Sequence, residues 1–277
     1  MHARAARAGV TALVVPAVER ANFGAVASVC RDYAGCHAAY GIHPLYVGRA
    51  LDEDVDALRA LLQREPAVAI GEIGLDFHVE DADRERQQQF FVAQLQLAAE
   101  FDLPVLLHTR RAVDATLMLL RRHRVPGGIA HAFSGSRQQA EEFLRLGFKL
   151  GFGGAMTHVR ASRLRALAAS LPLEAIVLET DAPDIPPAWL TTPDRCERSV
   201  SDRSMTSPRP ASPTDARRNE PAELAGIASV LAELRSEPLA RIVAAIAGNT
   251  HAVLPKLALQ SSPGLSRHDE NHAHDRD

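Results

Sequence analysis

No apolar run in the 277 residues reaches the roughly 18 positions that a membrane-spanning helix requires, which argues against such a helix. The opening stretch MHARAARAG has no apolar core, so no secretion signal is expected. Cysteine is scarce: Cys30, Cys36 and Cys196 are odd in number and show no repeated C-x-x-C spacing, which supports neither a disulfide framework nor a zinc knuckle and fits a reducing cytoplasm. A basic excess is also lacking. The net charge of -3 does not mark a dedicated binder of nucleic-acid backbone, so any phosphate contact must be local. With 46% hydrophobic residues, 23% charged residues and a mean hydropathy of -0.10, the composition is that of an ordinary globular chain long enough for one large α/β domain.

Seven apolar runs of strand length recur along the chain: 10–16, 37–44, 67–76, 104–110, 127–135, 148–154 and 175–183. Amphipathic segments separate them, for example 84–101, with Phe90, Phe91, Leu95, Leu97 and Ala98 near helical spacing. Strand followed by helix, repeated, predicts a parallel sheet with right-handed crossovers. Ser136-Arg137-Gln138-Gln139 is a capping-box pattern after the fifth strand, with Gly147 as the helix stop. Residues 1–257 are expected to form one (β/α) barrel domain, interrupted by an inserted Ser-, Pro- and Arg-rich loop at about 191–217, and 258–277 read as a disordered tail. Seven strands are one short of a closed barrel. Ala3 to Ala8 with Gly9 reads as the end of a helix, so the remaining strand would precede residue 1; either the barrel is open between its first and last strands, or the given start lies downstream of the real one.

Five of these runs carry a metal-competent side chain near their C-terminal ends: His43 in GIHP, Glu72 in GEIGLD, His108 in LLHTR, His131 in IAHAFSG and Asp181 in LETDAP. In a barrel that end is where a site assembles from several strands, so residues remote in sequence would converge on one cavity. Imidazoles with carboxylates are ligands for Zn²⁺, Mn²⁺ or Mg²⁺. Taken singly, each has a plainer explanation: a satisfied core histidine, a Glu72 paired with an arginine, an Asp181 capping a turn before Pro183. Five at equivalent positions favour a site, because each otherwise costs desolvation without apolar gain.

GIHP, GEIGLD, LLHTR, HAFSGS, LETDAP and RNEP resemble, in order, the motifs of the TatD family of metal-dependent deoxyribonucleases, over roughly residues 5–255. The resemblance implies a TIM-type barrel of the metal-dependent hydrolase kind, two divalent ions and hydrolysis of phosphodiesters, DNA above all, by metal-activated water. It implies that Glu72 is the bridging carboxylate, that His108 and His131 hold one ion, and that Asp181 holds the other and orients or deprotonates the water; Glu72 and Asp181 are the expected catalytic pair. The family opens with a strand bearing a His-x-His pair that this sequence does not contain, since His2 lies in the following helix. One retained ion and a weakened site are therefore expected, and the rival readings are a metal-dependent deacylase or amidohydrolase and an inactive truncated pseudoenzyme. Neither a membrane nor an obligate protein partner is expected.

Three further residues are candidates for substrate contact. His43 would meet substrate phosphate or merely shape the turn before Pro44. Arg110, two residues after His108 on the same face, would clamp phosphate or form a surface ion pair. Ser134, with Gly135, lies where a helix begins and would bind an anion or simply cap. Gly151-Phe152-Gly153-Gly154 lacks the spacing of a phosphate loop and reads as close backbone approach at a crowded barrel mouth. Asp76 is expected farther out than Glu72, bracing its loop. His268, His272 and His274 read as part of a solvated end.

Overall fold

The apolar run that ends in Glu72 becomes a strand buried at every residue except Glu72 itself. In the computed structural model, which describes residues 1–191 and 218–260 (backbone only for 258–260), seven strands form one parallel sheet: β1 (Leu13–Pro16), β2 (Cys36–Tyr40), β3 (Ala69–Asp76), β4 (Val105–Arg110), β5 (Gly128–Ala130), β6 (Phe148–Phe152) and β7 (Ile176–Leu178). Each pairs with its sequence neighbour, in the order β1 to β7. Among the described residues β1 and β7 each pair on one side only. The inserted loop expected from the sequence lies outside the described residues from 192 to 217, as does the expected tail from 261 on, while 258–260, read as the start of that tail, are the last residues of a helix.

Helices α1 (His2–Arg7), α2 (Phe23–Asp32), α3 (Glu53–Leu62), α4 (Arg84–Glu100), α5 (Val113–Arg122), α6 (Arg137–Arg145) and α7 (Ser162–Ser170) alternate with the strands, and α8 (Leu224–Arg235), α9 (Leu239–Val253) and α10 (Pro255–Gln260) follow the last one. The sheet curls, and its two faces bury different sets of residues. Outside, Phe90, Phe91, Leu95, Leu97 and Ala98 of α4 join the large cluster between helices and sheet. Inside, Val14, Ala39, Ala69, Leu106, Ile129 and Val177 come from six strands and meet Val253, Leu254 and Leu257, which close the barrel interior from the C-terminal helices. Ser136 and Gln139 form the expected capping box of α6, and Gly147 ends that segment at φ 85°.

Strand β5 stops at Ala130 and β7 at Leu178, well short of the apolar runs that contain them. The difference is physical. Residues beyond the last ladder bond have turned toward the mouth, so His43, His131 and Asp181 sit on loops just past strand ends, and only Glu72 and His108 lie within strands.

Helix α4 also holds the mouth in place. Gln87 is buried, accepts the Asp76 backbone N–H at 2.8 Å and donates to the Asp76 carbonyl at 3.0 Å. Gln94 does the same for Ile42, at 2.6 and 3.1 Å. Two side-chain amides on one helix face thus satisfy backbone groups at the ends of two strands, which buried amides require.

Candidate metal centre

Glu72 owes its direction to an irregularity in β3. The β3/β4 register runs Ile70 to Val105 and resumes at Ile73 to Leu107, so the ladder breaks at Gly71 and Glu72. Bulges next to sites re-aim side chains. Two residues on, Gly74 has φ 139°, and a Cβ there would stand 2.0 Å from the His108 carbonyl oxygen; glycine lets β3 and β4 close up where His108 is registered.

One oxygen of Glu72 lies among three imidazoles. Its Oε1 is 3.4 Å from His108 Nδ1, 3.7 Å from His131 Nε2 and 3.9 Å from His43 Nε2. It is buried and makes no hydrogen bond. The ligand atoms of His43, Glu72 and His108 all lie within 4.8 Å of one another. Burial alone would raise the Glu72 carboxyl, but the contact with His108 and the nearby His131 and His43 rings reverse this and hold it at about 2. A carboxylate kept ionised, unbonded and ringed by imidazole nitrogens is what a divalent cation requires of its ligands, so the residues fit a metal.

The histidines are oriented from behind. His108 Nε2 lies 2.9 Å from Asp76 Oδ2, and Asp76 is fully buried, its other oxygen accepting the His78 backbone N–H. That corrects the expectation that Asp76 sits farther out as a loop brace alone; it fixes the ring whose Nδ1 faces Glu72. His131 Nδ1 lies 2.9 Å from Glu179 Oε2, while Glu179 Oε1 accepts the Ala132 backbone N–H at 2.7 Å. His43 Nδ1 accepts from the Leu45 N–H at 3.2 Å, leaving Nε2 for Glu72. Carboxylate partners behind ligating imidazoles fix tautomer and ring direction.

Asp181 completes the group, with Oδ1 3.3 Å from His131 Nε2. Burial raises its carboxyl to about 6 despite the pull of His131. Burial would lower the His131 imidazole, yet Glu179 foremost, with Glu72 and Asp181, pushes it up to about 10. For His43 burial dominates, helped by the neighbouring His108, and its imidazole falls to about 4. Glu72 therefore stands between two sub-groups, His43 with His108 and His131 with Asp181.

The motif following the Asp181 segment serves that loop. Asn219 is buried and its amide donates to the carbonyls of Thr180 and Asp184. Glu220 forms a two-point ion pair with Arg4 of α1.

The pattern of the family described as TatD related DNase matches residues 1–255. The chain belongs to that family. A protein of Escherichia coli K12 named uncharacterized metal-dependent hydrolase YjjV is 41% identical over 253 residues, covering 90% of this chain and 88% of the relative. The crystal structure of that TatD homolog superposes with a TM-score of 0.79 at 40% identity, covering 91% of this chain and 90% of the other. A Klebsiella pneumoniae protein named 3'-5' ssDNA/RNA exonuclease TatD is 37% identical over 239 residues, 85% of this chain and 83% of the relative. A TatD family hydrolase of Entamoeba histolytica, 20% identical with a TM-score of 0.74 over 91% of this chain and 87% of the other, shares the TIM-type barrel fold.

Within this TatD-family barrel, Glu72, His108, His131 and Asp181 come together, and His43 stands with Glu72 and His108 in one His/carboxylate group. Arg110 is exposed at the end of β4, where its carbonyl accepts the Phe77 N–H, and among the described residues its guanidinium has no partner. Ser134 is exposed two residues before the cap of α6, its carbonyl accepting from Arg163. Glu179, which the sequence does not single out, lies one residue past β7 and faces His131. Gly151 and Gly153 mark its place from across the sheet, since a Cβ on Gly151 would meet Glu179 Oε2 at 2.3 Å. Close approach is thus the reason for those glycines.

Proposed function

We propose that this chain is a metal-dependent phosphodiesterase acting on DNA, in which Glu72, His43, His108, His131 and Asp181 hold divalent metal. The observation that carries the reading is the Glu72 Oε1 atom, buried, ionised and unbonded between three imidazole nitrogens. The nucleic-acid substrate is supported by the family and by the exonuclease name of the K. pneumoniae relative. A bound ion supplies Lewis acidity toward a phosphoryl oxygen and acidifies water.

The chain's own groups do the rest. Asp181 is the proton acceptor: at about 6 its carboxyl is mostly ionised at neutral pH and still basic enough to take a proton from attacking water at Oδ1. Glu72 stays anionic throughout. Asp76 and Glu179 keep His108 Nδ1 and His131 Nε2 turned inward. Arg110 and Ser134, on the rim, meet phosphate oxygens of the strand. Zn²⁺, Mn²⁺ and Mg²⁺ all suit mixed imidazole and carboxylate donors. No helix among the described residues is long and apolar enough to cross a membrane, and the few cysteines suit a reducing cytoplasm as the place of action.

The test pairs elemental analysis of the purified chain with hydrolysis of a labelled single-stranded oligonucleotide in Mn²⁺, alongside ester and amide substrates. Bound metal and oligonucleotide cleavage abolished by chelator are expected. Cleavage of amides alone would move the chain to the amidohydrolases, and no metal with no cleavage would make it inactive.

A further inference from the structure

Two hollows flank the metal centre on the mouth of the barrel, and they differ in how their arginines are used. The larger, about 440 Å³, is lined by Arg20, Arg49 and Tyr46, but Arg20 is paired with Asp54 at 2.9 Å and Arg49 with Glu19 at 2.7 Å. Its cations are spent. The other, about 220 Å³, lies between the loop after β5 and the loop after β6 and is lined by Ser134, Gly135, Arg160, Ser162 and Arg163. Among the described residues neither Arg160 nor Arg163 has an acidic partner; Arg163 donates to the Ser134 carbonyl at 3.0 Å, which ties one guanidinium to the loop that carries His131.

We propose that this second hollow is a phosphate subsite for the nucleic-acid strand, with Arg160 as the phosphate contact and Arg163 as its brace. The proposal rests on the nuclease reading above. In a chain of net charge -3, two uncompensated guanidinium groups at one concavity make a local positive site where the composition as a whole offers none. A guanidinium fork matches phosphate oxygens. Position fits as well: three residues of chain from His131 to Ser134 span at most roughly 11 Å, so at about 3.4 Å per stacked nucleotide the hollow lies within about three nucleotides of the centre. The subsite would therefore hold the strand beside the bond being cut and favour polymeric over mononucleotide substrates.

Fluorescence anisotropy of a labelled, phosphorothioate-linked dT12, titrated with the full chain in Mn²⁺ over a salt series, tests this. Arg160→Gln should weaken binding and lower the slope of log Kd against log salt by about 0.7, the increment for one phosphate of a single strand. Arg160→Lys should keep the slope, because the charge is kept. Arg64→Gln, the same charge change on the loop before β3 at the opposite end of the barrel, should leave the slope at its parent value. A parent-like slope in Arg160→Gln overturns the subsite while the nuclease reading stands, and an Arg160→Lys slope as low as that of Gln overturns the charge-based contact. Failure of the parent chain itself to bind dT12 at low salt overturns both.

Discussion

Replacing Glu179 by Gln changes one charge and no volume, and its effect follows from which atoms are already committed. Glu179 Oε1 is held by the Ala132 N–H at 2.7 Å, so in the amide the oxygen stays there and the NH₂ group turns to His131 Nδ1, now 2.9 Å away. A donor facing Nδ1 makes that nitrogen an acceptor and sends the ring proton to Nε2. Nε2 is the nitrogen that faces Glu72 at 3.7 Å and Asp181 at 3.3 Å, and its lone pair is the one a cation would use. Loss of such an outer partner costs about 10- to 100-fold in metal affinity, or roughly 1.4 to 2.7 kcal/mol. Isothermal titration of the metal-stripped chain with Mn²⁺ measures it, and the ring ¹⁵N shifts of His131 in the metal-free chain above pH 10, where the ring is neutral, report the tautomer independently. Packing against Gly151 and Gly153 is preserved by the isosteric change. Affinity within twofold of the parent, with the proton still on Nδ1, would refute this account of Glu179.

Glu72→Gln should lose metal content and oligonucleotide cleavage together, and full turnover in that variant would remove Glu72 from the centre. The metal-free chain should lose stability as pH rises: His131 holds its proton to about 10 in the native state against 6.5 for the ordinary group. The native state then binds more protons than the unfolded one above pH 6.5, so the contribution is complete below that value and declines by about 1.4 kcal/mol per pH unit. Denaturant midpoints between pH 6.5 and 8, below the ordinary values of 9.0 and 10.0 at which the raised Cys30 and Tyr40 groups begin to contribute, should show this decline, and a flat profile would contradict it. Gly151→Ala places a methyl 2.3 Å from Glu179 Oε2 and should cost about 1 to 3 kcal/mol by chemical denaturation, with weaker metal uptake; parent-like stability would mean that β6 yields at that point.

The alternation of apolar strand and amphipathic helix is a local signal, and six of the seven strands lie inside the run that announced them, while β2 begins one residue before its run, at Cys36. Ends were less legible. The run 127–135 shrank to Gly128–Ala130 because apolarity continues into a mouth that is also buried, as Phe133 shows. Glu72, His108, His131 and Asp181 were readable because charge or imidazole stands at or near the end of an apolar run. Asp76 and Glu179 escaped because their role depends on what stands opposite, and no sequence spacing says that Asp76 meets His108 or that Gly151 leaves space for Glu179. His43 showed its type but not its company: the 4.3 Å separation of its ring from that of His108 arises only when the β2 and β4 ends are brought over β3.

Gln87 and Gln94 turn α4 into a measuring rod. Seven residues apart, they fall on one face and are separated along the axis by about 10.5 Å, and each grips the backbone of a different strand end. The loop bearing His43 and the carboxylate steering His108 are therefore spaced by helical pitch, independently of the sheet between them. A single residue inserted between the two glutamines would swing one of them about 100° around the axis and release its strand end, so this stretch of the outer helix should tolerate substitution of its exposed positions yet admit no change of length.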